Sequence, residues 1–397
     1  MKELQDIIRH YQDYPGQPLC LATVVNTRGS TYRKAGARML IANQQQVIGS
    51  VSGGCLEADI IAQSAAVWAD QQSIVLTYDT TPPEDVLLGT GLGCNGLMEI
   101  LVEPIAARNP GAHQLELASQ IFRRHGTGLI ATVSQPNGSA GRKVIHRLML
   151  DAGGTLHGEF PDRAVEQLIV GRMANALKEQ RSEAFVQDTG HGAVDVFLEF
   201  ISAPTPLFVF GAGYDAVPLV RLARDIGMAV TVVDHRAAFA TTERFPAADA
   251  IIIGRPENVE PIDLPLDQRA TAIIMTHNYF LDQQWLKRLL PLELNYLGLM
   301  GPRHRAEKML QELRSEDPDF TAGCDRLFNP AGLDIGAESP EQIALSILGE
   351  IQAVLAGTSG GLLREKKGAI HAPQAVPVST LDPRQKNGIP QCPASVP

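Results

Sequence analysis

The sequence of 397 residues predicts an α/β chain, an N-terminal α+β domain followed by a C-terminal doubly wound parallel sheet. Three observations predict it. Residues 19 to 52 carry short β-type runs split by Gly and Asn, as hairpins do. Residues 207 to 301 carry five apolar runs separated by helical or loop stretches, the alternation of a parallel sheet. Between them Ser202-Ala203-Pro204-Thr205-Pro206 interrupts the pattern, so we expect domains at 1–203 and 204–357. The length itself exceeds what one core ordinarily fills.

Composition bounds the function. Hydrophobic residues make up 44% and charged residues 20%, as in a folded globular chain. A formal net charge of −10 repels a polyphosphate backbone, and no basic stripe interleaved with aromatics is present, which argues against nucleic acid as a partner. The opening MKELQDIIRHYQDYP has no secretory apolar stretch, and no apolar run approaches the roughly 18 to 20 residues that cross a bilayer. A cytoplasmic protein without a membrane partner is the expectation. The five cysteines, Cys20, Cys55, Cys94, Cys324 and Cys392, stand singly without a CxxC, which fits a reducing compartment and argues against structural zinc.

Taken in order, LCLATVVNT (19–27), ARMLIA (37–42) and QVIGSVS (46–52) predict strands, LEADIIAQSAAVW (56–68) a helix, and SIVLTYDT (73–80) a strand. The Gly-rich LLGTGLGCNG (87–96) leads into LMEILVEP. Residues 112–200 predict a helix, two or three strands, a helix from near Asp162 and a closing strand pair. No internal repeat is visible. After the linker, LFVFGAG, AVTVVDH, ADAIIIG, TAIIMTH and LNYLGLMG are the parallel strands. A helix with Ser339 as N-cap, Pro340 in its first turn, Gln342 completing a capping box and Gly357 at its end closes the domain. From Thr358 the chain loses periodicity and gains prolines, so a disordered tail is expected over 358–397.

LFVFGAGYDAVPLVRLARDIGMAVTVVDH has the parts of a Rossmann dinucleotide site. Gly211 permits the strand-to-helix turn, Gly213 lets backbone approach a pyrophosphate, Ala216 lets the helix pack on the sheet, and Asp234 ends the next strand where a carboxylate accepts from ribose hydroxyls. The same glycines also serve a turn that binds nothing. Asp215 stands where phosphates would lie and opposes anion binding at the helix N-terminus. His277 follows the fourth strand, at the carboxyl edge where ligands of such sheets bind.

In the first domain SVSGGCLEAD (50–59) and GTGLGCNG (89–96) each place a cysteine after glycines. Cys55 would sit at a helix N-terminus, where backbone N–H groups favour a thiolate, and Arg28, Arg33, Lys34 and Arg38 are near in sequence. Such a pocket suits an anionic or sulfur-containing ligand. Two small buried cysteines beside tight turns fit the pattern equally. No GxSxG, HExxH or P-loop motif is present.

GSTYRKAGARM, GSVSGGCLEADI and GTGLGCNGLMEILVEP resemble the N-terminal domain of the XdhC/CoxI family, the xanthine dehydrogenase accessory factors. FVFGAGYDAVPLVRLARDIGMAVTVVDHRAAFATTERFPAAD, IIMTHNYFLD, YLGLMGPRHRAEKM and GLDIGAESPEQIALSILGEI resemble that family's C-terminal Rossmann domain. The resemblance runs from about Leu19 to Ala356. It implies a maturation factor more than a catalyst, one that binds the molybdenum cofactor (molybdopterin) as cargo and shields it. Such a factor supports installation of the terminal sulfido ligand by a cysteine desulfurase and assists insertion into a xanthine dehydrogenase-like molybdenum hydroxylase. The family's glycine-cysteine motif falls on Ser52, Gly53, Gly54, Cys55 and Glu57, and its second run on Gly89, Gly91, Gly93, Cys94 and Gly96. His commonly follows GAG in the family, whereas Tyr214 and Asp215 stand here, which leaves NAD or another nucleotide open. An NAD-dependent oxidoreductase is the alternative, lacking a recognisable acid–base pair. The sequence leaves a homodimer open, and residues 107–200 match no motif of the family.

Overall fold

The computed structural model describes residues 2–367 apart from 14–15, 43–45, 80–94, 106–109, 137–141, 191, 260–263, 265 and 318–325. Contacts divide the chain into two compact units that part between Ala203 and Pro204.

The first unit holds two five-stranded antiparallel sheets. α1 (Lys2–Asp13), β1 (Leu19–Ser30), β2 (Arg38–Ala42), β3 (Gln46–Gly49), α2 (Glu57–Asp70), β4 (Ile74–Asp79) and β5 (Asn95–Ile105) form the first half. α3 (Pro110–Arg123), β6 (Thr127–Pro136), β7 (Arg142–Asp151), β8 (Leu156–His157), α4 (Arg163–Lys178), β9 (Glu183–Asp188) and β10 (Ala193–Ser202) form the second. Their strand orders, β3-β2-β1-β5-β4 and β8-β7-β6-β10-β9, are the same order. The registers agree as well: Thr23 faces Arg38 as Thr132 faces Arg147, and Leu21 faces Glu103 as Ile130 faces Glu199.

The expectation of no internal repeat is therefore corrected: the unit is one motif built twice. The repeat hides in the sequence because a half-buried strand asks only for alternation, which many apolar residues satisfy. Identities survive where geometry is strict. Ala22-Thr23-Val24 corresponds to Ala131-Thr132-Val133, Arg38 to Arg147, Gly49 to Gly158 and Glu103 to Glu199. Gly49 and Gly158 have φ of +82° and +90°, and a Cβ there would lie 2.4 and 2.6 Å from the carbonyl oxygens of Arg38 and Arg147. Only glycine fits either place.

Alternation along the strands fills the core. Leu19 and Leu21 pack in the cluster that also holds Ile7 of α1 and Leu115 of α3, while Cys20 and Ala22 face the side where Ile60 and Val67 of α2 pack. α4 covers the second sheet through Val165, Ile169 and Met173. The sequence reading did not anticipate α1, whose Leu4, Ile7 and Ile8 are buried among otherwise polar neighbours. Two buried ion pairs cross between the halves. Arg38 of β2 donates to Glu199 of β10 from Nη1 at 2.5 Å, and Arg147 of β7 to Glu103 of β5 from Nη2 at 2.5 Å. All four side chains are at most 6% exposed.

The second unit comprises β11 (Pro206–Phe210), α5 (Ala216–Asp225), β12 (Ala229–Asp234), β13 (Ala250–Ile253), β14 (Thr271–Ile274), α6 (Tyr279–Leu289), β15 (Tyr296–Leu299), α7 (Arg303–Glu316), β16 (Leu327–Phe328) and α8 (Pro340–Leu355). Its six parallel strands run β13-β12-β11-β14-β15-β16, the Rossmann order, with the switch point between β11 and β14. The doubly wound sheet matches expectation, and two-residue β16 adds an edge too short to leave a pattern. α8 starts with the expected capping box of Ser339 and Gln342. Of the expected tail, Leu363–Glu365 forms one 3₁₀ turn, and the part from 368 lies outside the described residues. No helix among the described residues is long and apolar enough to cross a membrane.

Glu199→Gln leaves Arg38 buried without a counter-charge and is expected to cost the first unit about 3–5 kcal/mol. Urea denaturation followed on that unit measures it. Glu103→Gln should cost a similar amount, and the double variant Arg38→Met/Glu199→Leu should recover most of the loss.

Candidate functional site

Between β3 and α2 the chain passes through Ser50, Val51, Ser52, Gly53, Gly54, Cys55 and Leu56. Glu57, in the first turn of α2, folds back on this loop. Its carboxylate accepts from the Ser52 N–H at 2.9 Å, the Ser50 hydroxyl at 2.9 Å, the Leu56 N–H at 3.2 Å, and the Ser52 hydroxyl. Ser52 Oγ in turn accepts from the N–H groups of Gly54 and Leu56, both at 3.2 Å. Burial disfavours the Glu57 carboxylate, but the hydrogen bonds from Ser52 and Ser50 outweigh it and hold the group ionised below its ordinary pKa. With Val51, Ser52 and Leu56 buried, the loop is pinned at both ends while Gly53, Gly54 and Cys55 are exposed.

The predicted Ser52, Gly53, Gly54, Cys55 and Glu57 thus come together, but with divided labour. Glu57 points inward and holds the loop; Cys55 is presented. Of the nearby cations, Arg38 is taken by Glu199 and Arg33 is ion-paired with Glu3, while Lys34 is exposed. The expectation that Arg38 charges this site is corrected, because its guanidinium is buried between the sheets. Gly89, Gly91, Gly93 and Cys94 lie outside the described residues; Gly96 pairs with Gly29 in β5.

The second half shows what the fold alone requires here. Glu166, the counterpart of Glu57, accepts from the Phe160 N–H at 2.6 Å. Pro161 stands where Ser52 stands and has no N–H to donate, so the staple moves one residue back. Asp162 caps α4 by accepting from Ala164 and Val165 at 2.9 and 3.2 Å. The counterparts of Gly53, Gly54 and Cys55 are Asp162, Arg163 and Ala164.

At the Rossmann switch point the glycines have jobs within the fold. Gly211 has φ +126°, and a Cβ there would lie 2.4 Å from the Met275 carbonyl oxygen, so glycine lets β11 and the end of β14 approach. Ala216 is fully buried in α5, against the sheet as expected. Above Gly213 the space is filled: a Cβ would lie 2.6 Å from Asp215 Oδ1 and 3.6 Å from the His277 ring. Asp215 Oδ2 is 2.7 Å from His277 Nε2, and His277 holds φ +59°, an uncommon conformation for a side-chain-bearing residue. Hydrogen bonding to Asp215 raises the His277 pKa; burial and Arg305 oppose it, and the charges of Asp215 and Asp282 add to it. Asp282 is itself buried and accepts from Arg305 at 2.7 Å.

Asp234 departs from expectation. Its carboxylate accepts from the Ala212 N–H at 2.7 Å, the Arg236 N–H at 2.8 Å, and Arg236 Nε and Nη2 at 2.9 and 2.7 Å, and the residue is 4% exposed. Burial disfavours the charge, but Arg236 and the N–H groups hold its pKa below ordinary. The carboxylate is thus held by the glycine turn and by Arg236. The charges that sequence spacing missed are Arg236, two residues after the acid, and Arg244. Arg244 donates to the carbonyls of Ala212 and Phe239 at 3.0 and 2.9 Å.

In the first unit a cavity of ≈ 50 Å³ lies between the two sheets, lined by Asn26, Glu99, Thr132, Phe185, Asp195 and Phe197 among others. It has room for a few waters and not for an organic ligand. No group of three His, Cys, Asp or Glu able to hold a metal occurs among the described residues.

The chain joins a duplicated antiparallel unit that presents a cysteine loop to a Rossmann unit. Residues 207–351 match the XdhC Rossmann domain, and residues 15–79 match the XdhC and CoxI family. The chain is 33% identical over 336 residues to a probable subunit of xanthine dehydrogenase from Bacillus subtilis (strain 168), covering 83% of this chain and 91% of that one. A crystal structure of a xanthine dehydrogenase from Bacillus halodurans superposes with a TM-score of 0.71 at 28% identity, over 90% of this chain and 96% of that one. A stretch of 231 residues is 27% identical to uncharacterized protein YqeB of Escherichia coli (strain K12), 55% of this chain and 42% of that protein. The chain belongs to the XdhC and CoxI family.

Thiol labelling should separate the two described cysteines. Burial pushes the Cys20 thiol up to about 12, so iodoacetamide at neutral pH should modify Cys55 and spare Cys20 until the protein is unfolded, as read by peptide mass spectrometry. At the switch point, an NMR titration should find His277 above the ordinary value of about 6.5, and Asp215→Asn should lower it. The sign follows: this pair stabilises the fold fully below about pH 6.5, and the contribution is lost as pH rises through the raised pKa.

Proposed function

We propose that this chain is a cytoplasmic accessory factor in the maturation of a xanthine dehydrogenase-like molybdenum hydroxylase. It carries the molybdenum cofactor as cargo, shields it while a cysteine desulfurase supplies sulfur for the terminal ligand, and assists its insertion. Family membership and the names of its relatives support the partner. The observation that carries the cargo role is the exposed Gly53-Gly54-Cys55 loop on a buried staple. Bare glycine backbone offers N–H and C=O groups to a hydrogen-bonding ring, and a presented thiol suits sulfur chemistry. In this reading Ser52 and Glu57 position the loop, and Gly91, Gly93 and Cys94 are proposed to complete the pocket.

The Asp215–His277 pair is the one observation favouring the second reading, a nucleotide-dependent oxidoreductase, because it supplies an acid–base group at the switch point. Against that reading, Asp215 fills the space above Gly213 where a pyrophosphate would approach, and Asp234 is committed to Arg236.

Purified protein mixed with molybdenum cofactor should retain it through gel filtration, and Cys55→Ser should retain less. Loss of all retention in the wild-type protein sinks the carrier reading; tight NADH binding with turnover of a small alcohol would put the oxidoreductase in its place.

A further inference from the structure

Tyr32 is 67% exposed, and one face of its ring has a neighbour. The Thr31 hydroxyl donates to the Arg33 carbonyl at 2.9 Å and Arg33 is ion-paired with Glu3, so the residues on either side of the ring are anchored. One face of the ring lies against Gly53, where a Cβ would meet Cδ2 and Cε2 at 3.6 Å. The rest of the ring is open to water, beside exposed Gly54 and Cys55. A single exposed aromatic means little by itself, since surfaces carry many.

The internal repeat gives this one meaning. In sequence, Gly29-Ser30 and Arg33-Lys34 recur as Gly138-Ser139 and Arg142-Lys143, and Gly141 aligns with Tyr32. In the same half Asp162, Arg163 and Ala164 replace Gly53, Gly54 and Cys55. The ring, the bare glycines and the thiol are present together in one half and absent together from the other. The second sheet folds with the same order and register without them, so the architecture does not need them.

The geometry points to Tyr32 as a stacking platform for a planar heteroaromatic ring, gripped beside the exposed backbone of Gly53 and Gly54. An aromatic face binds a flat ring by dispersion and quadrupole complementarity, and a phenol does so with little rotamer entropy to lose. The inference rests on the carrier reading and names the part of the cargo that this half holds: the pterin ring.

The test uses the full chain and the fluorescent probe pterin-6-carboxylate, with binding read by anisotropy. Wild type and Tyr32→Phe should bind within about twofold of one another, and Tyr32→Ala should bind roughly tenfold or more weakly, as for loss of one base-stacking ring. Gly53→Asp installs the residue of the second half at a position where a Cβ meets only ordinary contact, so it should fold and bind weakly too. Unchanged melting curves for the variants accompany the expected result. No binding by wild type, or equal binding by Tyr32→Ala and Gly53→Asp, overturns the platform. The carrier reading is judged separately, by retention of molybdenum cofactor on wild-type protein, so the two can fail independently.

Discussion

The first unit depends on two buried, reciprocal ion pairs. Arg38 and Arg147 each lie where solvation by water is gone, and each finds its carboxylate on the opposite half of the repeat. An unpaired guanidinium in that position is costly, so neither half is complete without the other. The same pairs fix the functional loop at its root. Arg38 sits on β2, its carbonyl is the atom that obliges Gly49 to be glycine, and Gly49 is the last residue before the chain enters Ser50 and the cysteine loop. Displacing Arg38 would move the strand from which Cys55 is presented.

Duplication also explains how one loop can differ from its counterpart while the fold stays the same. Both halves need a helix that starts after the third strand, and both staple it with a glutamate, Glu57 or Glu166. In the second half Asp162 gives the helix an ordinary cap, and nothing more is asked of the segment. In the first half Ser52, buried one residue earlier, accepts from the Gly54 and Leu56 N–H groups ahead of the helix, and Gly53, Gly54 and Cys55 stand at the positions of Asp162, Arg163 and Ala164. What differs between equivalent positions is therefore a better guide to function than what is shared.

Periodicity made the parallel sheet and the capping box of α8 legible, because apolar strands of near-uniform composition and a Ser-Pro-x-Gln start are local signals. The repeat and the ion pairs were not legible. Arg38 and Glu199 stand far apart in sequence, and either looks like a surface residue until strand order brings them together. The cluster Ser52-Gly53-Gly54-Cys55-Glu57 was visible as a group, but the inward aim of Glu57 shows only in its hydrogen bonds to Ser50 and Ser52. The partner of Asp234 has a local origin: Arg236, two residues on, folds back onto it, and that pattern was present in the sequence as Asp-His-Arg. Asp215 and His277 meet only because both follow strands at the switch point.

These pairings change the electrostatics of the Rossmann crevice. Read from sequence, Asp215 and Asp234 make the carboxyl edge hostile to an anion. In the folded unit Asp234 is matched by Arg236 and Asp282 by Arg305, and Asp215 hydrogen-bonds His277, which adds a positive charge where the imidazole is protonated. Arg244, which donates to the carbonyls of the glycine turn, then adds positive charge beside that turn. The edge is thus less acidic in the folded unit than its sequence suggests, with Asp215 lying over Gly213 and Asp234 held by Arg236.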